Sequence, residues 1–416
     1  MPPDIKSLTR EELETQFKAW SEPAYRVSQV LEWLYKRRVT DWEAMTNLPK
    51  ALREKLRGEY SLTTLELVIA QGSRDTTRKF LWRLKDGSLI ESVLIPANPA
   101  LYGEPSDRHT LCVSTQVGCA YGCKFCASGL DGWKRDLGVE EIVEQVLAAE
   151  RIGGLEIADS GAKRAHFDAI ATSSESSGPG SPENSQPELP RSVAQTSPPA
   201  SSGGVPLPES VRVRSKSQSR LVDNLVIMGM GEPLANYENL LKALTILNAP
   251  WGGGIGARKI TISTSGLAPQ IRKLAEEPLQ FRLAISLHGA TDETRAKIMP
   301  VNRKYPLAEL TAACEHYLQK KGRMVTFEYI LIAGVNDSLD QAKPLARLAR
   351  RLNARVNLIP YNKVEGLPWE RPEEDSQEAF LAVLKKEKVT ATLRREKGHD
   401  IDAACGQLRL KTERNL

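Results

Sequence analysis

Half of the six cysteines in this 416-residue sequence fall within eight positions, as Cys119, Cys123 and Cys126 of GCAYGCKFCASG. Thiolates are soft metal ligands, and C-x3-C-x2-C in a glycine-rich loop is a metal-binding spacing. Three thiolates can hold three irons of a [4Fe–4S] cluster and leave the fourth iron open to a non-protein ligand. A closed structural zinc site needs a fourth ligand, for which Cys112 and His109 are the nearby candidates. Inert thiols in a loop are the third reading, and spacing alone leaves all three open.

The surrounding pattern says what must position such a loop. From residue 110 onward, six apolar runs occur in order: TLCVSTQ, NLVIMGMGEP, KITISTSG, LAISLHG, TFEYILIAGVND and RVNLIPYN. Helical patterns such as VEEIVEQVLAAERIG and YENLLKALTILN separate them. Strand alternating with helix predicts a parallel sheet, and six units predict an α/β fold of the partial (β/α)6 barrel kind. Several runs end in polar or glycine-containing clusters (GMGEP, STSG, SLHG, PYN), which would meet at the C-terminal mouth where barrels do chemistry.

Before the barrel, Val27, Val30, Leu31 and Leu34 keep helical spacing, with Lys36, Arg37 and Arg38 at the end where cations suit the dipole. Residues 63–97 switch to a strand period, with a turn at Asp86 and Gly87. The predicted division is therefore a helical domain at 1–62, a short antiparallel β extension at 63–106, the barrel at 107–395 and a C-terminal segment at 396–416. A Ser/Pro-rich stretch at about 155–220 cannot bury enough apolar surface to offset its ordering entropy, and is predicted to be a disordered insert.

Composition excludes little. The chain is 41% hydrophobic and 26% charged, with a net charge of +5, which permits a polyanionic partner without requiring one. No apolar run approaches the roughly 20 residues of a membrane span, and MPPDIKSLTREELE does not read as a signal peptide. The expectation is a cytoplasmic protein, with reduced thiols and no membrane association.

With the barrel, the cysteine loop and Phe125 just before its third cysteine, the sequence resembles the radical S-adenosylmethionine family. There, the open iron is chelated by the amino and carboxylate groups of S-adenosylmethionine, and one electron splits the sulfonium to give a 5′-deoxyadenosyl radical. GMGEP (229–233) is similar to the motif that receives the methionine amino group. RHTLCVSTQVGCAYGCKFC, VIMGMGEPL, ISTSG, AISLHGATDETR, NLIPYN and GHDIDAACGQL resemble the RlmN branch, RNA methyltransferases acting on adenine C2; the Cfr branch, acting on C8, is the near neighbour. The likeness spans nearly the whole chain and fails across the insert.

That resemblance implies substrates, cofactors and roles. The substrates would be 23S rRNA, in the peptidyl-transferase region, and tRNA. The cofactors would be one [4Fe–4S] cluster on Cys119, Cys123 and Cys126 and two S-adenosylmethionine molecules per turnover. Cys405 would accept a methyl group, and radical chemistry on that S-methylcysteine would join it transiently to adenine C2. Cys112 would resolve the adduct through a transient disulfide with Cys405, and Glu91 would accept the C2 proton. Gly231, Glu232, Ser263, Ser286, Leu287, His288 and Asn362 would contact S-adenosylmethionine. The implied partners are RNA and an electron donor such as a flavodoxin system, with a monomer as the default state. From the residues themselves, Cys314 is core packing, and Arg37, Arg38, Arg350, Arg351, Lys385 and Lys386 are candidates for phosphate contact or solvated helix faces. The competing class is a non-catalytic zinc-dependent RNA-binding module, with Cys112 closing the metal site. It leaves GMGEP, STSG, SLHG and DAACGQL without a task.

Overall fold

The structure is a computed structural model. It describes residues 2–73, 76–96, 108–159, 221–394 and 405–414, with only the backbone described from 154 to 159. The predicted insert lies outside the described residues, apart from a helix that continues past its predicted start to Asp159. All that follows concerns one compact unit, Met1–Gly154 with Arg220–Leu416.

The N-terminal helices form where the sequence places them. α1 (Arg10–Ala19) opens on a capping box, in which Thr9 Oγ1 accepts from Glu12 N–H (3.3 Å) and Glu12 Oε2 accepts from Thr9 N–H (2.7 Å). α2 (Tyr25–Leu31) buries Val27, Val30 and Leu31, then loosens into a π turn over Glu32–Lys36. Arg37 N–H there reaches back five residues to Glu32 O (3.0 Å). α3 is Lys50–Glu59. These helices share one core with the barrel, and two buried ion pairs join them to α4 (Val139–Asp159): Lys6–Glu144 at 2.6 Å and Arg38–Glu150 at 2.9 Å. Arg38 is thus a tether rather than a free phosphate ligand. Arg37 pairs with Glu32, Arg350 with Glu387 and Arg351 with Glu315.

Strands β1 (Glu66–Gly72), β2 (Arg78–Arg83) and β3 (Leu89–Pro96) form an antiparallel meander, and β3 pairs antiparallel with β4 (His109–Cys112). The predicted extension is therefore continuous with the barrel sheet. From β4 the pairing is parallel through β7 (Val222–Ile227), β8 (Ile260–Thr264), β9 (Arg282–Ser286), β10 (Thr326–Leu331) and β11 (Arg355–Pro360). The crossover helices are α4, α5 (Tyr237–Asn248), α6 (Ala268–Glu276), α7 (Asp292–Ile298) with α8 (Leu307–Lys321), and α9 (Leu339–Arg351); α10 (Glu374–Lys386) follows β11. The six predicted units are present, in the order of a partial barrel. A seventh parallel strand, β12 (Ala391–Leu393), extends the edge; at three residues it carries no readable period. Cys314 is fully buried in α8, as expected of core packing.

Candidate active site

The C-terminal ends of the parallel strands surround a cavity of about 370 Å³. Each strand contributes: Cys112 from β4, Gly231 and Glu232 after β7, Ser263 from β8, Ser286 and His288 from β9, Glu328 from β10, and Asn362 after β11. Cys119, Cys123, Cys126 and Cys405 line the same space. Of the residues expected from the sequence, all but two therefore meet there. Leu287 is buried behind the wall, with its carbonyl held by Arg295 (3.0 Å). Glu91 also stands outside the lining.

The cysteine loop is shaped by a small ribbon, β5 (Gln116–Gly118) against β6 (Trp133–Asp136). Cys119 N–H donates to Gly132 O (3.0 Å) at its neck. Gly118 sits at φ +75°, and a Cβ there would fall 1.9 Å from Gly132 O, so the neck closes only on glycine. Inside the loop, Cys126 N–H donates to Cys123 O (3.1 Å), and Trp369 Nε1–H donates to Lys124 O (2.7 Å). Phe125 packs edge-on against His288, with ring centres 4.8 Å apart. Burial pushes the Cys119 thiol up to about 12 and raises Cys126 and, further, Cys123. Such thiols stay protonated unless a cation takes the proton's place, which is what bound iron does.

Glu232 is buried, and its carboxylate accepts from Ser265 N–H (2.6 Å) and Leu234 N–H (3.1 Å). Its own N–H donates to Gln116 Oε1 (2.8 Å). Burial raises its pKa above the ordinary carboxylate value while these donors pull the other way. The Thr264 and Ser265 hydroxyls also lie against this carboxylate, so it faces the cavity as a held negative group that an ammonium could meet. Asn362 Oδ1 and Tyr361 OH are buried cavity atoms without a hydrogen-bond partner among the described residues, and they fit a polar ligand. Three thiols, a carboxylate and unmet polar atoms around one cavity are the donor set that a [4Fe–4S] cluster and S-adenosylmethionine need.

His288 is held in the left-handed region (φ +54°), unusual for a residue with a Cβ. Its Nδ1 accepts from Ile330 N–H (3.0 Å) and its carbonyl from Asn336 Nδ2–H (2.7 Å). Burial, helped by Arg295, drives its imidazole down to about 3, so the ring is neutral with the proton on Nε2.

Cys112 and Cys405, remote in sequence, line the same cavity, where their thiols act on each other. Cys405 Sγ donates to Met228 O (3.4 Å). The neighbouring Cys405 lowers the Cys112 thiol against the opposing effect of burial, and Cys405 is raised well above its ordinary value by Cys112 and by burial. Cys112 is therefore the more acidic of the pair.

Glu91 is buried, ion-paired to Lys79 (2.9 Å), and accepts from Gly406 N–H (2.6 Å) and Arg409 N–H (2.7 Å). It holds the segment carrying Cys405, at the start of α11 (Gln407–Arg414). Sequence reasoning also missed Arg295 and Glu328. Arg295 is fully buried and donates to Leu287 O, Asn302 Oδ1 and Ser265 O, tying the ends of β8 and β9 together. Its signal was a cation on the same helical face as Ile298. Glu328 accepts from Asn357 Nδ2–H (2.9 Å); a charge between Phe327 and Tyr329 in an otherwise apolar strand was its signal.

Comparison with known proteins agrees with this architecture. The family described as ribosomal RNA large subunit methyltransferase N-terminal domain matches residues 4–62, and the radical SAM superfamily matches residues 207–343. A probable dual-specificity RNA methyltransferase RlmN 3 of Opitutus terrae is 50% identical over 412 residues, 99% of this chain and 96% of that one. The dual-specificity RNA methyltransferase RlmN of Anaeromyxobacter dehalogenans is 41% identical over 406 residues, 98% of this chain and 91% of that one. A crystal structure of a radical SAM methyltransferase from Sphaerobacter thermophilus superposes with a TM-score of 0.77 at 39% identity, covering 98% of this chain and 99% of that one. This chain thus belongs to the RlmN family of RNA methyltransferases within the radical SAM superfamily, whose chemistry uses a [4Fe–4S] cluster and S-adenosylmethionine.

Proposed function

We propose that this chain methylates C2 of adenosine in 23S rRNA, in the peptidyl-transferase region, and in tRNA, by way of a methyl group carried on Cys405. The observation that carries the reading is that Cys112 and Cys405 line the cavity that Cys119, Cys123 and Cys126 also line. Cys119, Cys123 and Cys126 would hold a [4Fe–4S] cluster, which together with S-adenosylmethionine would supply the one-electron chemistry that an electron-poor aromatic carbon requires.

The chain's own groups then divide the work. Gly231, Glu232, Ser263, Ser286, Leu287, His288 and Asn362 would hold S-adenosylmethionine, with Leu287 acting by packing and Glu232 taking the ammonium. Two molecules are used per turnover, one of them to methylate the Cys405 sulfur. Once that carbon is bonded to the base, the Cys112 thiolate attacks the Cys405 sulfur; the carbon leaves with the S–C electron pair, delocalised into the base, and takes up a proton to become the methyl group, leaving a disulfide between the two residues. Glu91 takes the C2 proton, giving up contacts that it makes in this conformation. Electrons come from a flavodoxin-type donor, and the working state is a monomer in the cytoplasm; among the described residues no helix is long and apolar enough to cross a membrane.

The test is nucleoside mass spectrometry of an rRNA fragment and of tRNA, incubated anaerobically with reconstituted protein, S-adenosylmethionine and a reductant. 2-Methyladenosine is the expected product. 8-Methyladenosine would move the chain to the Cfr chemistry. No methylated adenosine from protein that holds iron and cleaves S-adenosylmethionine would overturn the substrate assignment. A colourless preparation carrying stoichiometric zinc would overturn the cluster.

A further inference from the structure

The cross-strand register puts an unassigned cation on the face of the thiol pair. Lys79 of β2 stands opposite Val93 of β3, and Val93 stands opposite Cys112 of β4. Directly opposed residues share a face of the sheet, so Lys79, Val93 and Cys112 form one row, with Glu91 two residues from Val93 on the same side. Val93 and Cys112 line the cavity. Lys79 is fully buried, and its Nζ lies 2.9 Å from Glu91 Oε2. The Glu91 carboxylate in turn receives the backbone N–H groups of Gly406 and Arg409, which flank the Cys405 side of the C-terminal segment.

We infer that Lys79 is a positioning residue for the thiol pair: it compensates the buried Glu91 carboxylate, whose two oxygens dock the Cys405 segment, and proton uptake by Glu91 releases that segment. A buried carboxylate that loses its cation is costly, and charge-assisted bonds weaken once the acceptor is neutral. The release step rests on the proton-acceptor role proposed above for Glu91; the docking step does not. It gives the captured proton a structural consequence, since neutralising Glu91 removes the ion pair with Lys79 and the charge assistance of both bonds. The segment around Cys405 can then loosen after turnover, as exposure of the new disulfide to a reductant requires. The charged and titratable groups facing Glu91 are Lys79 from β2 and Cys405 and Arg409 from the C-terminal segment, while Arg394, after β12, acts with Lys79 on the neighbouring Cys112. The Arg409 guanidinium is engaged with Asp131 and Glu413, so Lys79 is the cation that answers Glu91.

The experiment is hydrogen–deuterium exchange by mass spectrometry on the reconstituted full-length holoenzyme, comparing wild type with Lys79→Met, Lys79→Arg and Glu91→Gln. Glutamine mimics the protonated carboxyl. Exchange across residues 405–414 is expected to rise roughly tenfold in Lys79→Met and Glu91→Gln. Lys79→Arg should restore most of the protection, and peptides over β8 and β10 should be unchanged in all three. Unchanged exchange at 405–414 would overturn the inference. So would a rise of equal size across β8 and β10, which would make Lys79–Glu91 a general core pair. Wild-type methylation is read separately: its absence with intact docking would sink the proposed function alone.

Discussion

Replacing Arg295 with methionine tests whether the wall of the cavity is held from behind. The substitution keeps the apolar stem and removes the guanidinium, which donates to Leu287 O (3.0 Å), Asn302 Oδ1 (2.8 Å) and Ser265 O. Arg295 is fully buried, and burial depresses its guanidinium to about 10. Its removal also relieves that desolvation cost. Against this, each acceptor left unpaired costs about 1–3 kcal/mol, more when the lost donor was charged. Three acceptors give about 3–9 kcal/mol; allowing for water entering from the cavity and for the desolvation relieved, about 3 kcal/mol should remain. Equilibrium urea unfolding should show this as a lower midpoint at unchanged slope. Because Ser265 N–H and Leu287 adjoin Glu232 and His288, S-adenosylmethionine affinity measured by calorimetry should fall with it. A loss below about 1 kcal/mol with unchanged affinity would refute the account, since it would mean that the strand ends hold themselves in place.

Other perturbations separate the remaining elements. Gly118→Ala should open the neck of the cysteine loop, because the new methyl falls 1.9 Å from Gly132 O; iron per chain after reconstitution should drop, while far-ultraviolet dichroism stays unchanged. His288, pushed from 6.5 down to about 3, takes up a proton more readily when unfolded. Its contribution is fully present above pH 6.5 and is lost as the pH falls from 6.5 towards 3, by roughly 5 kcal/mol at most. His288→Asn, which keeps an acceptor for Ile330 N–H and tolerates φ +54°, should flatten that part of the stability–pH curve. Cys112→Ser should stall with RNA joined to Cys405, seen as a nuclease-sensitive shift on a denaturing gel. Cys405→Ser should give neither adduct nor product, and an adduct in that variant would reassign the methyl carrier.

The parts legible in the sequence are those whose signal is local. The barrel strands are apolar runs, several with a polar cluster at the end, so the mouth could be placed before any coordinates, and the family resemblance named the residues on it. The cysteine loop announces itself by spacing. What was not legible depends on pairing between distant segments or on elements too short to carry a period. Gln116–Gly118 and Trp133–Asp136 are three and four residues long, yet they set the neck of the loop. Glu32–Lys36 reads as ordinary helix, because a π turn keeps the same buried side. Arg38 reads as a surface cation until α4 brings Glu150 to it. Glu91 reads as a catalytic carboxylate, and nothing nearby in sequence reveals that its oxygens are taken by Gly406 and Arg409.

The polar groups of the cavity fall into two sets, and the difference says where ligand affinity should arise. Glu232 and His288 are each fixed by groups from another element: Ser265 N–H for the first, Ile330 N–H and Asn336 for the second. Fixing them in the folded chain lowers the ordering cost on binding. Asn362 Oδ1 and Tyr361 OH have no such partner among the described residues, so their desolvation is already incurred and a ligand donor reaching them gains nearly the full bond. An unmet buried acceptor costs about 1–3 kcal/mol, which sets the most that a ligand can recover there. The fixed set therefore supplies geometry, and the unmet set supplies affinity. Both belong to the cavity where S-adenosylmethionine would lie, which Cys112 enters from β4 and Cys405 from the C-terminal segment.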